Sequence, residues 1–225
     1  MKEIVHRLKF SARLFPVMVL LGISIQLSFS YIMTFLLSLN EAAEKEYDEV
    51  IAPLVSMEPS MIFYVGFGAP FFEELLFRGV VLGILVLIIN RLHPFVSRQR
   101  EEAASFAEGE DTVRRSPVKG RGDPVFWYAA ANIIQALLFA LYHGNVYQGI
   151  YAFLIGLIFG YIFILTGSAV PGMVAHSSVN LFGLFAERVI PAEISPILQW
   201  ALAFAGLFGI VYCMRAVRRK ARAIT

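Results

Sequence analysis

Six apolar runs, each long enough to cross a bilayer, limit what this chain can fold into before any motif is read. They fall at roughly residues 14–39, 60–90, 125–142, 146–166, 169–187 and 194–214, against the ~20 residues a transmembrane helix requires. Hydrophobic residues make up 58% of the sequence and charged residues only 16%, whereas soluble domains average about a quarter charged. Inside lipid every backbone polar group must be satisfied internally, so runs of this kind become helices. The expected fold class is all-α, a polytopic transmembrane helix bundle of about six spans. The first run is too long for the apolar core of a signal peptide, and no small-x-small site closes it. It is therefore expected to remain as a helix.

Lys and Arg positions set the expected orientation. Lys2, Arg7, Lys9 and Arg13 precede the first run. Arg91, Arg98, Arg100, Arg114, Arg115, Lys119 and Arg121 follow the second, and Arg215, Arg218, Arg219, Lys220 and Arg222 end the chain. With six spans these groups share one side and hold sixteen of the 19 basic residues. Both termini are expected to be cytoplasmic, and the acidic stretch Glu41–Glu58 to be outside. Trp127 and Tyr212 fall near the cytoplasmic ends of their segments, as interfacial aromatics do. The loop over 93–124 has mixed charges and few apolar residues, which suits a solvated, partly disordered linker. Its cluster Arg114–Arg121 could touch anionic headgroups. The single cysteine, Cys213, excludes an intrachain disulfide and reads as a buried, inert thiol. There is no nucleotide-binding loop, and no nucleic-acid partner is expected. Gly149, Gly156 and Gly160 share one face of the fourth run, a pattern that lets helix backbones approach closely.

Three short pieces break the apolar character of these runs: Glu73–Arg78, Phe139–His143 and His176–Asn180. An ionisable side chain at the centre of a membrane helix costs roughly 2.5–3.5 kcal/mol even on insertion scales, so such residues are functional candidates. Gly66-Phe67-Gly68-Ala69-Pro70 is expected to break the second run, because proline removes a helix hydrogen bond and disfavours helix before it. A fresh helix would then carry the glutamates in its first turn, where the helix dipole favours negative charge. Glu74 and Arg78, four apart with Glu first, have the favourable ion-pair order. Glu73 projects about 100° away around the helix and is left as the general base. The alternative is that both glutamates only hold helices together.

His143 ends the third segment with Phe139 one turn earlier; on its own it reads equally as an interhelical hydrogen-bonding group. His176 and Asn180 share a face, and both can donate to the oxyanion formed when a carbonyl is attacked. Ser177 and Ser178 read as ordinary membrane-helix serines rather than nucleophiles. Counted along upright spans, His143 and His176 would lie on the order of 20 Å apart. A shared site therefore needs a tilted, short or re-entrant segment.

In order, EExxxR, FxxxH and HxxxN on successive apolar segments resemble the signature motifs of the CPBP family. This family comprises the CAAX prenyl proteases and bacteriocin-processing enzymes, or Abi-type intramembrane proteases. The resemblance covers roughly residues 60–187, and Phe77-Arg78-Gly79 and Thr166-Gly167-Ser168 add to it. It implies a four-helix catalytic core and an intramembrane endopeptidase of the glutamic type. Glu73 would activate water with help from His143, and His176 and Asn180 would stabilise the oxyanion. Glu74 and Arg78 would support the site, with Phe139 beside them. The implied organisation is an N-terminal tail, first helix and acidic outer loop over 1–58, the protease core over 59–187, and the last helix and basic tail over 188–225.

No cofactor is expected. Zinc is the alternative, on Glu73, His143 and His176, although the two histidines come from different helices and Asn is a poor zinc ligand. The expected partners are the bilayer and a substrate, either a small peptide or the tail of a membrane-associated protein. The default location is the plasma membrane of a prokaryote. A non-catalytic immunity or scaffold protein that keeps the core is the competing reading, but no motif residue is missing. A small transporter is disfavoured because paired inverted halves are absent.

Overall fold

The structure is a computed structural model that describes residues 2–52, 58–92, 124–189 and 194–222. Among these residues it is all helical: α1 (Lys2–Leu37), α2 (Glu41–Ile51), α3 (residues 59–92), α4 (Pro124–Tyr142), α5 (Val146–Thr166), α6 (Val170–Val189) and α7 (Pro196–Arg222). Four stretches, Ser11–Leu37, Pro124–Tyr142, Val146–Thr166 and Pro196–Ala221, are long and apolar enough to cross a membrane. The linker expected over 93–124 and its Arg114–Arg121 cluster lie outside the described residues, apart from Pro124, which opens α4.

Small residues and a heptad-like stripe hold the bundle together. Leu14, Met18, Leu21 and Ile25 of α1 are fully buried, at the spacing that turns one helix face inward. They form a cluster with Ala175 and Val179 of α6, residues of α5, and Cys213 and Val217 of α7. Gly22 lets α1 close on α6: a Cβ there would lie 2.4 Å from the Ala175 carbonyl oxygen. The glycine face of α5 packs on α4. A Cβ at Gly156 would meet Ala136, and one at Gly160 would lie 1.9 Å from Asn132 Oδ1. Those two helices are also tied by polar groups that cannot reach water. Gln135 Nε2 donates to the Gly156 carbonyl at 2.8 Å, and Asn132 Nδ2 donates to the Leu157 carbonyl at 3.0 Å.

The acidic stretch after α1 contains α2, an element not expected from the sequence. Asn40 caps it by accepting from the Ala42 and Ala43 amides, with Glu41 and Glu44 in its first turn, where the dipole favours acids.

Residues 59–92 show no helix break at Gly66–Pro70, contrary to the sequence expectation. The chain widens instead into a π-helical stretch, Tyr64–Gly68, passes through an α-helical turn, Ala69–Glu74, and widens again over Leu75–Leu82. Proline in an α-helix clashes with the carbonyl four residues back. A π-turn just before Pro70 relieves that crowding without ending the helix, and π-bulges recur at functional sites. The glutamates consequently close an α-turn inside a long helix, and no fresh N-terminus supports them.

Candidate active site

Three helices, α4, α5 and α6, meet the middle of α3. Phe77 stacks edge-on against Phe139 and against Tyr142, the last residue of α4, with centroids 5.1 and 5.5 Å apart. Gly172, the third residue of α6, abuts the Glu74 carboxylate. The end of α4 and the start of α6 therefore both abut the centre of a helix about 51 Å long, and neither runs its full length. This removes the 20 Å separation expected of upright spans. The His143 and His176 rings both pack against Phe139, at 4.8 and 6.0 Å.

The two glutamates have different surroundings. Glu74 is fully buried, with Oε1 2.9 Å from Arg78 Nη1 and 3.1 Å from His176 Nδ1. The Arg78 pair follows from i,i+4 spacing. The His176 contact joins residues 102 apart in sequence, and no local pattern announces it. Glu73, turned away from Arg78, keeps some exposure at 14%, and its Oε2 lies 3.8 Å from His176 Nε2. One imidazole thus has a different carboxylate facing each ring nitrogen. Glu74 holds Nδ1, which leaves Nε2 as the nitrogen that faces Glu73 and anything bound beside it.

Arg78 is fully buried without regular hydrogen bonds from its guanidinium nitrogens. Its charge is met by Glu74 and by aromatic faces. The Cζ atom lies 4.3 Å from the Phe139 centroid and 5.6 Å from that of Phe159, within cation–π range. Phe159 also packs on His176 at 5.6 Å. The sequence did not single out Phe159, although it sits between Gly156 and Gly160 on the packed stretch of α5.

His143 lies in the turn after α4, where its Nδ1 shares a 2.8 Å hydrogen bond with the Phe139 carbonyl. Gly144 follows at φ +67°, a left-handed conformation that suits glycine and turns the chain toward α5. Asn180, one turn beyond His176, donates from Nδ2 to the Val65 carbonyl at 2.7 Å, so one of its two amide hydrogens is engaged. Gly172 is a further residue the motifs did not reveal. A Cβ there would lie 2.5 Å from Glu74 Oε2, the carboxylate oxygen that has no hydrogen-bond partner.

A groove of about 660 Å³ lies elsewhere on the same helices, lined by α1, the first half of α3 and α6. Phe67, Phe71 and Phe72 form one wall and Met173, Ser177 and Leu181 another. Glu73 and His176 are not among the residues that line this groove, whose walls come from neighbouring faces of α3 and α6. Among the described residues no three His, Cys, Asp or Glu side chains stand where they could hold a metal ion. The alternative set Glu73, His143 and His176 does not form such a ligand group.

No curated protein and no solved structure matches the chain. Residues 55–182 match the family model described as type II CAAX prenyl endopeptidase, Rce1-like, a stretch that contains all three motifs and every residue of the cluster. With more than half of its length matched, the chain belongs to the Rce1-like family of type II CAAX prenyl endopeptidases, a family of proteases within the CPBP group.

Proposed function

We propose that the protein is an intramembrane endopeptidase in which Glu73 activates water against a peptide bond. The observation that carries this reading is the division of labour between adjacent carboxylates. Glu74 is committed to Arg78 and His176, while Glu73 is partly exposed and faces His176 Nε2. Paired carboxylates held in unlike environments are how one site supplies both a fixed charge and a working base.

Glu73 takes a proton from water as the oxygen bonds to the scissile carbonyl carbon. The carbonyl π-pair moves onto oxygen, and that oxyanion is met by His176 and by the second amide hydrogen of Asn180. His143 assists Glu73 in holding the water. Collapse of the tetrahedral intermediate breaks the C–N bond, and the proton held by Glu73 passes to the leaving nitrogen. The products are a carboxylic acid and an amine, which exchange a proton in water to become a carboxylate and an ammonium, so atoms and charge balance with no other reactant.

The substrate is a small peptide or the tail of a membrane-associated protein. The protein resides in a prokaryotic plasma membrane with both termini cytoplasmic, in keeping with the positions of its basic residues.

Purified protein in detergent, offered a fluorogenic prenylated CAAX peptide, tests the chemistry. Peptides from cells carrying wild type, Glu73→Gln or no gene, compared by mass spectrometry, test the native substrate. Glu73→Gln is expected to remove cleavage while melting within about 2 °C of wild type, and wild-type activity is expected to survive a chelator. Full cleavage by folded Glu73→Gln protein would refute Glu73 as the base, and no cleavage by folded wild type of either the offered or the cellular peptides would favour the scaffold reading.

A further inference from the structure

We infer that Asn180 is a positioning residue for Glu73, standing in for a backbone hydrogen bond that Pro70 cannot make. The backbone register in α3 leads to this. In the π-helical stretch Tyr64–Gly68 the amide of Ala69 donates to the Tyr64 carbonyl, five residues back. The next bond in that register would run from residue 70 to the Val65 carbonyl. Residue 70 is proline and has no N–H, and Pro70 is buried, so water is a poor substitute at this depth. An unpaired carbonyl in an apolar interior costs about 1–3 kcal/mol by mutational measures. The Val65 carbonyl is not left unpaired, because Asn180 Nδ2 reaches it from α6 at 2.7 Å.

Proline and asparagine therefore form a matched pair, although they lie 110 positions apart on different helices. Pro70 creates the vacancy in the ladder, and Asn180 fills it with a side-chain donor. The bond fixes the turn from Val65 to Glu74, which carries Glu73, against the helix that carries His176. It also pins the Asn180 amide plane, so its second N–H has a set direction. The role in fixing α3 stands on geometry alone. Only the consequence for Glu73 rests on the proposed proteolysis.

The test is a double-mutant cycle on the full-length protein in detergent, with Asn180→Leu, Pro70→Ala and the double variant. Alanine at 70 restores an N–H that can donate to Val65, so loss of Asn180 should matter less in that background. Asn180→Leu is expected to lower Tm by several degrees alone and by less than half as much on Pro70→Ala. Equal shifts in both backgrounds would overturn the pairing. If Asn180→Leu fails to accumulate in membranes, recovery of normal levels by the double variant is the same coupling, and failure of both alike overturns it.

With the prenylated CAAX peptide, the double variant should show kcat at least tenfold above Asn180→Leu, with KM within twofold. Recovered Tm with no recovery of kcat would show a bond that holds the fold and does not place Glu73, which overturns the positioning role. A wild type that cleaves no peptide would remove the protease reading, while the melting cycle would still decide the Pro70–Asn180 pair.

Discussion

Gly172→Ala probes the Glu74 seat with a single methyl group. The added Cβ would fall 2.5 Å from Glu74 Oε2, where ordinary contact begins at 3.4 Å, so the carboxylate must retreat by about 0.9 Å, the difference between the two. In a loose side chain that movement would be cheap. Here Oε1 of the same carboxylate is tethered to Arg78 at 2.9 Å and to His176 at 3.1 Å. A retreat of that size takes at least one contact beyond hydrogen-bonding range. Losing a hydrogen bond to a charged group costs roughly 1.5–3 kcal/mol, and at about 1.4 kcal/mol per decade this is a 10- to 100-fold fall in kcat if His176 orientation governs the reaction. Alanine meanwhile favours helix over glycine by about 1 kcal/mol, which offsets part of that loss, so Tm should fall far less than kcat. The assay is steady-state cleavage of the prenylated CAAX peptide, alongside thermal melting of the same preparation. A kcat within threefold of wild type would refute the claim that the Glu74–His176 contact sets the site. So would a loss of activity explained entirely by a loss of folded protein.

Two further outcomes follow from buried groups with fixed partners. Arg78→Met leaves Glu74 charged, fully buried and without its cation, an arrangement that costs roughly 3–5 kcal/mol. Membrane levels and Tm should fall sharply, and Glu74→Gln in the same chain should restore part of the loss. Gly160→Ala places a Cβ 1.9 Å from Asn132 Oδ1 and 2.5 Å from Gln135 Nε2, so overpacking should cost about 1–3 kcal/mol. This change lies away from Glu73, the proposed base, so it should lower Tm while kcat of the remaining folded protein stays within twofold. An unchanged Tm would mean that α4 and α5 are less closely held than their glycine contacts indicate.

Helix positions were legible because apolar length is a local property, and the helices over 124–142, 146–166 and 170–189 follow the runs closely. The Glu74–Arg78 pair was legible for the same reason, since four residues on one helix fix it. Three features were not. Pro70 read as a breaker, because the alternative of a widened turn depends on a donor from another helix. The acidic helix α2 carried a signal that was passed over, Asn40 followed by Glu41 and Glu44. The Glu74–His176 and Arg78–Phe139 contacts depend on where α4 ends and α6 begins along α3, and the apolar run lengths do not specify that.

Those contacts explain why two neighbouring glutamates can be so unlike. α6 presents Gly172, His176 and Asn180 at successive fourth positions, a stripe about 12 Å long. Each meets α3 at a different point: Gly172 at Glu74 Oε2, His176 at Glu74 Oε1 and near Glu73 Oε2, and Asn180 at the Val65 carbonyl. The order runs backwards along α3, as it must for antiparallel helices. Asn180 and Gly172 bracket the turn between Val65 and Glu74 at its two ends, and His176 occupies the middle of the stripe. With both ends of that stretch fixed, the 100° between consecutive residues directs Glu74 toward Arg78 and Glu73 toward His176 Nε2. A one-residue slip of α6 would carry all three contacts off the helix face together. The motif HxxxN is thus two-thirds of a longer pattern, GxxxHxxxN, whose spacing holds one helix in register against another.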